Sequence, residues 1–154
     1  MKTLDSIDHA ILAALSRDAR KSVTAIAEEL HLSRANTYGR IAQLRSSGVL
    51  QGYTARIDSR AAGLETAAYV FLTLKQDDWE VVRKTLADEP AVRHLALVGG
   101  QYDAVLLVRT RTVEELRRVV FERIQPLQCV QSTQTALIFD DHTQHLYPIP
   151  GDAL

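Results

Sequence analysis

Arg34, Asn36, Tyr38, Arg40, Gln43 and Arg45 lie close together in a stretch that holds no acid between Glu29 and Asp58. Guanidinium groups pair with phosphate and match guanine bidentately, and carboxamides match adenine, so these residue types carry the chemistry for reading a duplex. The balance of charge supports this. Residues 1–60 carry +3 and residues 61–154 carry −4, although the whole chain of 154 residues is only −1. Arg56, beyond the cluster, adds a backbone contact for double-stranded DNA.

These side chains need a helix to present them. Asp5, with Asp8 three residues later, reads as a capping box opening a helix to about residue 17, with Ile7, Ile11, Leu12 and Leu15 on one stripe. Ser22 caps a second helix, Val23 to Leu30, and the chain breaks at His31-Leu32. Ser33 caps a third, Arg34 to about Ser47, which Gly48 ends in the left-handed conformation. On the third helix Thr37, Ile41 and Leu44 form the inward stripe. Ala35, Gly39, Ala42 and Ser46 face outward, and a glycine in mid-helix costs about 1 kcal/mol against alanine. Small side chains there let the backbone approach a major-groove floor, with Asn36 and Gln43 on one flank and Arg34, Tyr38 and Arg45 on the other.

Each role follows from position. Arg34 and Asn36, at the helix N-terminus, are placed for base edges, and Ser33 for a phosphate as well as the cap. Tyr38 suits a phosphate or a thymine methyl. Arg40 lies beside the inward stripe, where a phosphate contact and an intradomain salt bridge are both open. Val49 to Ile57, turning near Gly52, reads as a two-stranded wing.

The division expected is a DNA-binding domain at 1–57, a linker at 58–64 containing Gly63, and a second domain at 65–154. There the period changes. Ala67–Lys75 reads as a strand, Asp77–Asp88 as a helix, and Ala91–Val98 and Tyr102–Thr110 as strands about the turn Gly99-Gly100-Gln101. Thr112 then caps a helix closed by Pro126, and Val130–Phe139 is the last strand. The order β-α-β-β-α-β is that of ferredoxin-like domains, which makes the chain α+β. Val70, Leu72 and Leu74 oppose Tyr69 and Phe71, and Val105 and Leu107 alternate with Ala104, Leu106 and Val108. Strands apolar on both faces need cover on both, which predicts a homodimer through the face without helices.

The matching stretches Leu4-Asp5-Ser6-Ile7-Asp8, Asp18-Ala19-Arg20, Leu32-Ser33, Arg40-Ile41, Gly48-Val49-Leu50, Gly52-Tyr53-Thr54-Ala55-Arg56-Ile57-Asp58 and Gly99-Gly100-Gln101-Tyr102-Asp103 resemble the Lrp/AsnC (feast/famine) transcription regulators over nearly the whole chain. His31 and Thr37 depart from it, where glycine and valine are usual. The resemblance implies a winged helix-turn-helix followed by a RAM/ACT-like domain, four dimers in an octamer, and an amino acid or related metabolite bound between dimers. The effector residues it implies are Gly99, Gly100, Tyr102 and Asp103, with Thr133 and Thr135 from the last strand. Glycines let backbone N–H groups approach a carboxylate and an Asp partners an ammonium, although an ordinary tight hairpin would use the same residues.

Other classes are less well served. A siroheme-type tetrapyrrole decarboxylase on the same architecture would use His and Arg of the second domain, but no nucleophile-base pair, phosphate loop or metal cluster is recognisable, and His94 stands alone. An architectural DNA binder without an effector is the other alternative. Neither a metal nor a cofactor is expected: His142 and His145 lack a third ligand, and Cys129 is the only cysteine. The absence of a long apolar run predicts a cytoplasmic protein with no membrane partner. Pro148 and Pro150 predict an extended tail that packs on a neighbouring subunit.

Overall fold

The computed structural model describes residues 3–75 and 79–142 and contains two compact units, one built on the chain up to Arg56 and one on Ile57–Asp141. The expected start of the fourth helix at Asp77, the partner histidine His145 and the proline-containing tail lie outside the described residues. No helix among those described is long and apolar enough to cross a membrane.

The first unit is three helices, α1 (Ser6–Arg17), α2 (Val23–Glu29) and α3 (Arg34–Ser46). Each starts on a side-chain cap that satisfies an orphan backbone donor, typically worth about 1 kcal/mol. The α1 box is reciprocal: Asp8 N–H donates to Asp5 Oδ1 at 2.8 Å and Asp5 N–H to Asp8 Oδ2 at 3.3 Å. Ser22 Oγ accepts from Ala25 N–H at 3.1 Å, and Ser33 Oγ from Asn36 N–H at 3.2 Å. Ile11, Leu12, Ala14, Leu15, Ile26, Ile41 and Leu44 form a core closed by this unit alone.

The turn between α2 and α3 carries strain. His31 has φ 53°, and around it Leu32 N–H donates to Ala27 O at 2.8 Å and His31 N–H to Glu28 O at 3.3 Å. This is a Schellman cap, whose left-handed position glycine occupies without penalty and other residues at a cost of roughly 1 kcal/mol. Gly48, φ 75°, ends α3, and Leu50 N–H returns to Leu44 O at 2.9 Å. The expected two-stranded wing does not form: residues 51–57 have no strand partner among the described residues. So short a ribbon, with no third strand or apolar cover, is marginal alone.

The second unit opens with a compact turn, in which Asp58 Oδ1 accepts from Arg60 and Ala61 N–H at 2.9 and 3.0 Å. Strands β1 (Thr66–Leu74), β2 (Val92–Leu97), β3 (Ala104–Thr110) and β4 (Val130–Leu137) form an antiparallel sheet in the order β2-β3-β1-β4. Helices α4 (Trp79–Ala87) and α5 (Val113–Arg118) supply Val82, Leu86 and Leu116 to the core over one face, where Ala68, Val70, Leu72, Ala104, Leu106 and Val108 are buried. Helix α5 continues as a π-helical stretch, Val119–Ile124, in which Gln125 N–H reaches Val120 O at 2.8 Å.

The pleat leaves the other face as two cross-strand rows, His94-Leu107-Tyr69-Ala136 and Ala96-Val105-Phe71-Gln134. Tyr69 and Phe71 thus oppose Val70 and Leu72, as their alternation predicts. Among the described residues no helix of this unit covers the rows, and Tyr69 is 41% exposed.

Candidate nucleic-acid interface and effector turn

The outward face of α3 is built as its spacing predicts. Thr37, Ile41 and Leu44 are buried, and Ala35, Gly39, Ala42 and Ser46 are exposed, with Asn36, Gln43, Arg34, Tyr38 and Arg45 exposed beside them. No atom outside the helix's own backbone would meet a Cβ placed at Gly39, so the glycine is not required by packing and the strip stands open. Thr37 satisfies its buried hydroxyl by donating to Ser33 O at 3.1 Å. The same carbonyl accepts from Thr37 N–H at 3.0 Å, so backbone and side chain share it.

Electrostatics favour the same face. Three acids of this unit are held by its own cations: Arg17 and Lys21 hold Glu29, and Arg40 holds Asp5 and Asp8. The Glu29 carboxyl is lowered chiefly by the Lys21 hydrogen bond, and that of Asp5 by the Asp8 N–H and then by Arg40. Among the described residues no ion pair engages Arg34 or Arg45, so their charge faces outward uncompensated.

Arg40 is a correction. Its Nη1 donates to Asp5 Oδ1 and Oδ2 at 2.9 and 2.8 Å and to Asp8 Oδ1 at 2.7 Å, and its side chain is only 23% exposed. The intradomain salt bridge is thus the alternative realised, because the inward edge of α3 faces the acidic cap of α1. Arg56 is exposed in the segment without strand pairing, and so is not held by a wing.

At the β2–β3 turn, Gly99 and Gly100 are exposed and Gly100 has φ 127°. Tyr102 stacks on Phe71 with ring centroids 5.0 Å apart, and its hydroxyl bonds Gln134. Asp103 closes the end of the hairpin: its Oδ2 accepts from Leu74 N–H at 2.7 Å and its N–H donates to Leu72 O at 2.9 Å. The carboxylate expected to meet an ammonium therefore already holds β1 backbone, a turn role.

Thr133 and Thr135 pair with Leu72 and Val70, so they stand on the helix side of the sheet and not with Tyr102. Here the expected grouping is corrected, and the reason is strand parity. Gln134, which sequence reading passed over, is the β4 residue that meets the tyrosine. Only the β1–β4 register could have revealed it.

A three-helix unit with an acid-free reading helix, followed by a βαββαβ unit, defines a helix-turn-helix DNA-binding regulator with a separate sensing domain. Comparison with known proteins agrees over both halves. Residues 4–45 match the AsnC-type helix-turn-helix domain and residues 67–147 the Lrp/AsnC ligand binding domain. The chain belongs to the Lrp/AsnC family of transcription regulators.

The HTH-type transcriptional regulator AldR of Mycolicibacterium smegmatis is 34% identical, over 90% of this chain and 83% of its own. The leucine response regulatory protein of Mycobacterium tuberculosis superimposes with a TM-score of 0.82 at 29% identity, covering 96% of this chain and all of the other, 100%. A transcriptional regulator from Neisseria meningitidis, solved as an L-Met complex, shares the fold with a TM-score of 0.86 at 22% identity, over 94% and 97% of the two chains. The named relatives are regulators, and the decarboxylase alternative has no support among them.

Proposed function

We propose that this regulator reads DNA sequence through Ser33, Arg34, Asn36, Tyr38, Gln43 and Arg45, acts as a cytoplasmic homodimer that assembles further, and changes assembly on binding an amino acid or related metabolite. The observation that carries the reading is the outward strip of α3, small along its centre and basic or amide-bearing on both flanks. Arg34 and Asn36 meet base edges, Ser33 and Arg45 meet phosphates, and Tyr38 and Gln43 extend the contact on either flank. Arg56 follows the helix as a further backbone contact. A single head of this size has too few base contacts for high specificity, so two heads set at a fixed spacing are needed.

The uncovered apolar rows of the sheet support the dimer, since a second copy brings the same rows to the same face. The likeness of residues 67–147 to a ligand binding domain, and the L-Met bound to the Neisseria protein, support an amino-acid effector. At the Gly99-Gly100 turn the backbone is suited to a carboxylate. Asp103 fixes the shape of that turn, and Tyr102 with Gln134 supplies a polar edge beside it.

The test has two parts. Selection of bound duplexes from a random pool recovers a two-fold symmetric sequence with the wild-type chain. Recovery of no preferred sequence overturns the reading in favour of an architectural binder. Calorimetry across the amino acids then finds at least one that binds and changes the sedimentation coefficient, and silence across the whole set removes the effector assignment.

A further inference from the structure

We infer that Arg40 is a positioning residue for base recognition, which orients the Asn36 carboxamide through a link to both carboxylates of the α1 cap. The inference rests on the assignment of Asn36 to the base-reading face. Arg40 Nε donates to Asn36 Oδ1 at 3.1 Å, one helical turn away, while Nη1 is held by Asp5 and Asp8 at 2.7 to 2.9 Å.

A guanidinium is planar, so fixing Nη1 between two carboxylates also fixes the direction of Nε–H. An exposed asparagine otherwise rotates about its terminal torsion and exchanges its oxygen and nitrogen positions. The bond from Nε selects one of those arrangements. Oδ1 turns toward Arg40 with a second lone pair still available, and the amide NH2 becomes the outer donor. Adenine recognition needs one donor and one acceptor side by side in a known order, which is what this selection provides. Ordering the amide before DNA arrives also removes an entropic cost from binding.

The alternative role for Arg40, a phosphate contact, fits the same geometry poorly. Two carboxylates neutralise its charge locally, which leaves little to contribute to counterion release. Asp8 is the more enclosed of the two, 15% exposed against 52% for Asp5, so it forms the firmer end of the link. The aspartates that begin α1 thereby also set the reading head, joining α1 and α3 through one side chain.

The test compares Arg40→Lys, Asn36→Ala and the double variant on duplexes recovered by selection with the wild-type chain, each base pair changed in turn. Lysine keeps the charge and can keep a phosphate contact, but it has no fixed Nε–H to aim at Asn36. Asn36→Ala is expected to lower discrimination at one base-pair position about tenfold. Arg40→Lys should lower it at that same position by roughly threefold to tenfold, and the double variant no further than Asn36→Ala.

Unchanged discrimination in Arg40→Lys, or a loss spread evenly over all positions, overturns the inference. No effect of Asn36→Ala overturns the assignment of Asn36 itself and the inference with it. A readout without DNA guards against misfolding: the Arg40 Nε–H resonance should exchange slowly in the wild type and faster in Asn36→Ala. Equal exchange in the two would also overturn the link.

Discussion

The two units expose opposite kinds of surface. The helical unit closes its core with its own residues and turns a polar, acid-free helix face outward, with Arg34, Asn36 and Arg45 on it. The sheet unit closes only one of its faces and leaves Tyr69, Phe71, Val105 and Leu107 on the other. A polar face is stable in water until a polyanion displaces the water. An apolar one has no comparable resting state and calls for a permanent cover. The first surface therefore suits a partner that comes and goes, and the second suits one that stays.

The strongest way to break this comparison is to charge the apolar rows. Val105→Asp sets a carboxylate between Ala96 and Phe71 in the centre of the face, where a two-fold partner would bury it among apolar neighbours at a cost of several kcal/mol. Sedimentation equilibrium should show dimer affinity reduced at least about 100-fold, and operator affinity should fall with it. A dimer of unchanged strength would mean that some other surface joins the subunits.

The polar face responds differently. Arg34→Ala should reduce preference for the selected sequence by roughly tenfold to 100-fold, consistent with losing a bidentate base contact. Arg45→Ala should weaken binding evenly across sequences and lower the salt dependence by about one unit per contact. Titrations at several salt concentrations separate the two. Neither change should alter sedimentation, which distinguishes this face from the sheet face.

How far sequence carried each unit follows from the range of the forces involved. Caps at Asp5, Ser22, Ser33 and Thr112 are local devices, and all four accept the expected backbone N–H. The βαββαβ order was legible because the apolar period changes from element to element. Register was not legible, and Thr133, Gln134 and Thr135 show why: parity is decided by the neighbouring strand β1. The π-helical stretch was hidden because Leu116, Val120 and Ile124 fit an α-helical stripe equally well. Arg40 was open between two roles because its partners lie at the start of α1, far away in sequence.

His31 tests the rigidity of the polar unit alone. With φ 53° it pays the left-handed penalty at the turn that sets α3 against α2. His31→Gly relieves that strain but gains unfolded-state freedom of about 0.5 to 1 kcal/mol, so the net stabilisation should be at most about 0.5 kcal/mol, read as a small rise in the thermal midpoint. Dimer affinity should not change. A lower midpoint would show that the imidazole makes a contact worth more than the strain.

The smallest effect concerns acid. Asp5 has its carboxyl lowered below the ordinary 3.8, first by the Asp8 N–H and then by the Arg40 hydrogen bond. A carboxylate lowered on folding contributes stability that is present above its unfolded value and lost as pH falls through the folded one. The wild type should therefore hold its stability from neutral pH down to about 4 and lose it below. Glu29, Glu114 and Glu115 are lowered too, by Lys21, Arg117 and Arg111, so acid weakens both units and the Asp5 share must be isolated. Asp5→Asn does this, since asparagine caps a helix as well as aspartate but carries no charge to titrate. The gap between wild type and Asp5→Asn should close as the pH falls from 5 toward 2, the range about the ordinary aspartate value. No gap at any pH would place the contribution of Asp5 in its cap hydrogen bond, which asparagine keeps, and the grip on Arg40 would then come from Asp8.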